Sequence, residues 1–155
     1  MAPSEPVEIR LDLERVAEDQ GNMETLVFRA ADGERLTIAI GPCEGLAIRL
    51  SRDPRFQRSN RARPMTHDLL SILLTHFGAR LQKVVIDDFW RGTYFARLEF
   101  DANGSPFHVD ARPSDAVALA LRSQVEVFAT DEVLHPSADA SAPGRLAADD
   151  APPNR

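Results

Sequence analysis

Asp110-Ala111-Arg112-Pro113-Ser114-Asp115 is the stretch of this chain best furnished for chemistry. It joins a strand end to a helix start, where free backbone N–H groups and the helix dipole favour a phosphate. Two carboxylates five residues apart, with an arginine between them, suit joint binding of a divalent cation and an anion. The same residues also make a sound helix start. Pro113 fits the first helical position, and Asp115 fits the third, where a carboxylate contributes about 0.3–1 kcal/mol; Asp110 would then cap the helix or pair with Arg112. Asp87-Asp88 ends a strand beside Trp90, Arg91 and Gly92. Adjacent strand residues face opposite sides, so at most one of the two enters a shared site, and a solvated turn also accounts for both. Thr66-His67-Asp68 opens an apolar helix, where Thr66 and Asp68 favour the start whatever the function. Histidine ordinarily titrates near neutral pH, which suits His67 to acid–base work. His76 and His108 have no better local setting. Glu44 falls in another first helical turn, and Cys43, with no histidine beside it, is expected to be a small buried residue rather than a nucleophile.

Common hydrolase signatures are missing: no H-x-H pair, no H-E-x-x-H helix, no Gly-rich phosphate loop and no G-x-S-x-G elbow. The net charge of −6 argues against a general nucleic-acid coat protein. Its distribution is uneven. Residues 1–40 hold nine acids and four arginines, whereas residues 49–63 hold six arginines against Asp53 alone. Lys83 is the one lysine among 18 basic residues. Arginine forks match phosphate oxygens, making Arg55, Arg58 and Arg61 candidate backbone contacts. A genome rich in G and C would give the same bias without any function.

The elements that must position these residues follow from periodicity. Val7, Ile9, Leu11 and Leu13 alternate with charged residues, the period of a half-buried strand. A second strand is expected over 25–30 and a third over 36–40, joined by an Asp32-Gly33 turn. Pro42 starts a helix to about Leu50, and the arginine-rich 51–63 has no periodicity and is expected to be a loop. Met65, Leu69, Leu70, Ile72, Leu73, Leu74 and Phe77 form an apolar helical stripe between Pro64 and Gly78, expected in the core. Strands over 81–88, 93–100 and 107–109 follow, then a helix over 113–123, a strand over 125–129 and a helical turn over 131–134. The expected fold is a single α+β domain, residues 1–134, with a mostly antiparallel or mixed sheet and two to three packed helices. Residues 135–155 hold six alanines, four prolines and one large apolar side chain, Leu146. Too little apolar surface is available there to offset chain entropy, so a disordered tail is expected. The chain's 155 residues, 43% hydrophobic and 27% charged, suit one soluble domain. No stretch approaches the ~20 apolar residues of a membrane span. Met1-Ala2-Pro3-Ser4-Glu5 lacks a basic-then-apolar leader pattern, and a lone cysteine fits a reducing cytoplasm.

The clusters line up with a known family. Leu36-Thr37-Ile38-Ala39-Ile40-Gly41 with Glu44, Arg63-Pro64-Met65-Thr66-His67-Asp68-Leu69-Leu70, Val85-Ile86-Asp87-Asp88, Gly92-Thr93-Tyr94-Phe95-Ala96, Val109 through Ala116, and Ala118-Leu119-Ala120-Leu121-Arg122 appear in order. Over roughly residues 7–134 the chain resembles the bifunctional nuclease domain family, long catalogued among bacterial proteins of unknown function. The Thr-His-Asp-Leu-Leu and Asp-Ala-Arg-Pro-Ser-Asp-Ala stretches together are specific. Two departures stand out: Gly45 occupies a position where the family usually has alanine, and the 51–63 stretch is unusually rich in arginine. The resemblance implies an α+β domain that forms homo-oligomers and hydrolyses both DNA and RNA.

Two functional expectations result. In the first, the protein is a phosphodiesterase of low sequence preference. Asp110 and Asp115, with Asp88 or Asp87, hold Mg²⁺ or Mn²⁺, and Arg112 and the 49–63 arginines hold the backbone. A metal-free version pairs His67 with another histidine as acid and base. In the second, the chain is a non-enzymatic oligomeric binding or regulatory module, and the Asp-Ala-Arg-Pro-Ser-Asp segment is a structural corner.

Overall fold

Leu36, Ile38 and Ile40 alternate with exposed neighbours, as a strand with one buried face requires, and Arg35–Ile40 forms such a strand. The computed structural model describes residues 6–18, 21–57 and 63–136. Strands β1 (Glu8–Glu18), β2 (Glu24–Ala30) and β3 (Arg35–Ile40) precede helices α1 (Pro42–Arg52), α2 (Pro54–Gln57) and α3 (Thr66–His76). Then come β4 (Ala79–Trp90), β5 (Thr93–Ala102), β6 (Ser105–Ala111), α4 (Pro113–Ser123), β7 (Val127–Thr130) and α5 (Asp131–Leu134). The seven strands form one sheet in the order β3-β2-β1-β7-β4-β5-β6. All neighbours are antiparallel except β4 and β7. This is the expected single α+β domain with a mixed, mostly antiparallel sheet. No described helix is long and apolar enough to cross a membrane.

Tight turns fix the hairpins. Arg91-Gly92 and Asn103-Gly104 have positive φ at both residues, 49° and 80° in the first and 54° and 85° in the second. Paired positive φ angles in two-residue loops match the twist of antiparallel strands. Helix α4 is the centre of the helical layer. Ala116, Val117, Ala118, Leu119 and Ala120 are buried, and the small side chains of its three alanines let α4 pack closely in the layer over β4 and β5, with α1 and α3 on its flanks.

Several expectations fail for physical reasons. The arginine-rich 51–63 is not simply a loop. Helix α1 continues to Arg52, where Arg49 and Arg52 face its negative end and the buried Ser51 hydroxyl donates to Ile48 O at 2.7 Å. Asp53 then accepts the Arg55 backbone N–H at 2.8 Å and opens α2. Arg58 and Arg61 lie outside the described residues, as does the tail from residue 137. Cys43 is exposed, not buried.

The largest departure concerns α3. Its apolar stripe was expected in the core, yet none of its residues is buried. His67, Asp68, Ser71 and Leu74 are its less exposed positions, while Leu69, Leu70, Ile72 and Leu73 stay exposed. Periodicity identifies a stripe but not the side that meets the core, and here polar pairing with α4 decides the orientation.

Candidate functional site

Three helices bring their first turns to one place. Pro42 opens α1 and puts Glu44 at its third position; Pro113 does the same for Asp115 in α4. His67 is the second residue of α3. Asp115 is the hub. Its Oδ1 lies 3.1 Å from His67 Nε2, and its Oδ2 accepts Arg112 Nε–H at 2.7 Å. Arg112 also donates through a terminal nitrogen to Glu44 Oε1 at 3.1 Å. The result is a chain of charge, Glu44–Arg112–Asp115–His67, drawn from three helices. Burial by itself would raise the Asp115 pKa, but the hydrogen bonds from Arg112 and His67 outweigh it and hold the carboxyl below the usual aspartate range. The bond to Asp115 in turn raises the Arg112 pKa further. An ionised carboxylate only accepts, so His67 Nε2 carries the proton here and Nδ1 is the nitrogen left for proton exchange.

Arg112 and Glu44 line a cleft of about 590 Å³ between the start of α1, the start of α4 and the β4–β5 hairpin. Ser114, Phe89 and Tyr94 also line it, and the two aromatic rings touch with centroids 4.4 Å apart. Arg112 is largely exposed at this rim; His67, with 15% of its side chain accessible, is tied to the rim through Asp115 and does not itself line the cleft.

Other expected site residues lie elsewhere. In the β5–β6 register Asp110 faces Arg97, and in β4–β5 Asp88 faces Phe95. Ala96, between those two partners, belongs to the core beneath α4. Asp88 and Asp110 therefore emerge on the sheet face opposite α4 and Asp115. The strand pleat thus forbids the expected ligand set of Asp110, Asp115 and Asp88. Among the described residues no group of three or more histidine, cysteine or carboxylate side chains is arranged to hold a metal ion. A divalent cation bound by those three does not fit this arrangement. Asp87 is the extra residue of a bulge in β4 and pairs with Arg97 at 3.6 Å. Asp110 does not take the expected Arg112; Asp115 and Glu44 do. Arg55 is held by its neighbour Asp53, with nitrogen–oxygen distances of 3.0 and 3.1 Å, outside the cleft.

Sequence reasoning also passed over Arg122. With 7% of its side chain accessible, it pairs with Asp68 and donates to Ala118 O at 2.9 Å and Ala47 O at 3.2 Å, tying α1, α3 and α4 together. Asp68 Oδ2 meanwhile accepts the Met65 N–H at 2.9 Å at the start of α3. A signal for Glu44 was present: Gly41-Pro42-Cys43-Glu44 and Arg112-Pro113-Ser114-Asp115 share the same proline-to-acid spacing.

Comparison with known proteins agrees with this arrangement of motifs. Residues 26–141 match the model of the bifunctional nuclease domain. Two relatives from Mycobacterium tuberculosis, the uncharacterized proteins MT1877 (strain CDC 1551 / Oshkosh) and Rv1829 (strain ATCC 25618 / H37Rv), are each 41% identical over 128 residues. Those alignments cover 82% of this chain and 73% of each relative. With most of its length matched by the family model, including every residue of the Glu44–Arg112–Asp115–His67 chain, the protein belongs to the bifunctional nuclease domain family.

Proposed function

We propose that this protein hydrolyses phosphodiester bonds of DNA and RNA with low sequence preference, and that His67 moves the proton. The observation that carries the reading is the His67–Asp115 pair bonded to Arg112, which lines the rim of an open cleft. Asp115 fixes the ring and its tautomer, so that Nδ1 accepts a proton from the attacking water as its oxygen bonds to phosphorus, and returns that proton to the leaving sugar oxygen as the other P–O bond breaks. Arg112 has five N–H donors, of which two are used on Asp115 and Glu44, and the rest suit a phosphate oxygen. The positive ends of three helix dipoles offset the excess of carboxylate around that phosphate. No step passes through Mg²⁺ or Mn²⁺, because Asp115 lies on the helix-covered side of the sheet, away from Asp88 and Asp110.

One observation favours a second reading, the non-enzymatic module. Arg112 is already shared by two carboxylates and Arg122 is buried against Asp68, which is how a structural clamp between helices looks. Turnover of labelled single- and double-stranded DNA and RNA, with and without chelator, separates the two. The enzyme reading expects chelator-resistant cleavage that falls by about two orders of magnitude or more in His67→Gln, with the fold intact by circular dichroism. Cleavage abolished by chelator, or unchanged in His67→Gln, overturns the proposed proton transfer. No cleavage above background by the folded wild type favours the module.

A further inference from the structure

The β4–β5 hairpin carries an aromatic face that the proposed proton transfer does not use. Phe89 and Tyr94 are cross-strand partners, and both line the cleft that Arg112 and Glu44 border. A bulge sends Phe89 there. Ile86 opposes Ala96 on the helix-covered side, and the extra residue Asp87 shifts the alternation, so that Phe89 rather than Asp88 rejoins that side. Without the bulge Phe89 would project from the opposite face. Its ring tilts against Tyr94 by 42° and leaves 47% of the residue open. Trp90, on the other side of the strand, already carries the Arg91 guanidinium over its ring at 4.5 Å. Burial pushes the Tyr94 pKa up, so the two cleft rings stay neutral. Of the described residues lining this cleft, only Glu44 and Arg112 are charged, and Ser114 adds a hydroxyl next to Arg112.

We infer that this cleft takes single-stranded nucleic acid in preference to duplex, with a phosphate on Arg112 and a neighbouring base stacked on Phe89. The inference rests on the proposed reading of Arg112 as the phosphate contact. An open ring face serves a base whose own face is free. Inside a duplex each base is covered by its neighbours, whereas a single strand splays its bases onto aromatic side chains. Backbone contacts do not redress the balance. Duplex held without base contacts needs many Lys and Arg on its phosphates, and a chain of net charge −6 offers one arginine in this cleft. The volume of about 590 Å³ falls within the range of sites that enclose one small ligand, which suits a nucleotide unit rather than two paired strands. Stacking accepts any base, because every base has a π face, and so agrees with low sequence preference.

Fluorescence anisotropy on the full chain tests this, with oligothymidylate and its duplex with oligoadenylate as probes. Nuclease-resistant phosphorothioate linkages in both let binding be read without turnover. The single strand should bind about ten-fold tighter than the duplex, or more. Phe89→Ala should lose about 5- to 140-fold in affinity for the single strand, the worth of one stacked base, and Phe89→Trp should keep it. Phe89 is exposed near a hairpin end, so the circular dichroism should not change. If Phe89→Ala fails to fold, Phe89→Leu retains an apolar contact for Tyr94 but no flat ring, and should show most of the same loss. Duplex bound as tightly as single strand, single-strand affinity unchanged in the alanine or leucine variant, or no binding of either probe overturns the inference. The nuclease reading fails separately. A folded wild type that binds single strands through Phe89 but cleaves neither form upholds this inference and overturns the enzyme, whereas cleavage with equal binding of both forms does the reverse.

Discussion

Replacing Gly45 by alanine should destabilise this protein, although the same change in a helix normally does the opposite. Gly45 is a buried residue of α1, and in a helix interior glycine costs up to about 1 kcal/mol relative to alanine. A β-carbon at this position, however, would overlap the carboxylate of Glu24. Glu24 is 5% exposed at the start of β2 and forms an ion pair with Arg49, one turn further along α1. To admit the methyl group, the carboxylate must swing away and give up charge-assisted hydrogen bonding of about 1.5–3 kcal/mol. Net of the helix gain, Gly45→Ala should cost about 1–2 kcal/mol, a fall of roughly 3–8 °C in melting temperature for a domain of this size. The partner experiment gives the argument its force. In a Glu24→Ala background the obstruction is gone and Arg49, partly exposed, can turn to water. There, Gly45→Ala should stabilise by up to about 1 kcal/mol. Urea unfolding of the four proteins in this cycle measures the coupling directly. The same sign for Gly45→Ala in both backgrounds would refute the account.

Two further outcomes follow from the ion pairs. The Asp115 carboxyl is held below its ordinary pKa, so its contribution is complete above about pH 4 and is lost as pH falls through the lowered native value. The stability gap between wild type and Asp115→Asn should be full at about pH 6 and shrink towards about pH 3; a gap independent of pH would show that Asp115 gains nothing from its partners. Arg122→Met should cost about 2–4 kcal/mol in urea unfolding, because Asp68 is left partly buried without its cation, and adding Asp68→Leu should recover part of the loss.

Much of the fold was legible because alternation and turn chemistry are local properties. The Asp32-Gly33 turn, the alternation of Leu36, Ile38 and Ile40, and the proline starts of α1 and α4 each describe their own element. The orientation of α3 was hidden because it depends on what another helix presents. Leu69, Leu73 and Phe77 look like core in sequence; what turns them outward is the attraction of Asp68 to Arg122 and of His67 to Asp115, 54 and 48 residues away. The helical content of 51–57 was masked by charge. Arginines disguise a helix whose last turn is where positive side chains are favoured.

The site obeys the same logic. His67, Arg112 and Asp115 could be picked out as single residues, since each has a side chain suited to acid–base or anion chemistry at a helix start. Their grouping could not, and the grouping first assumed, Asp110 with Asp115, followed closeness in sequence. Five residues separate those aspartates, but the boundary between strand and helix lies between them. Asp110 follows the pleat of β6 to the face that carries Arg97, whereas Asp115 sits on a helix packed against the other face. Glu44, 68 residues from Arg112, is the nearer neighbour because α1 and α4 each begin with proline and place an acid two residues later. Any cation that binds near Asp115 must therefore compete with Arg112, which already bridges that carboxylate and Glu44. An anion, by contrast, finds the remaining guanidinium donors and three helix starts beside it. That asymmetry is why phosphate recognition through Arg112 and proton transfer through His67 account for this site better than a metal shared between Asp110 and Asp115.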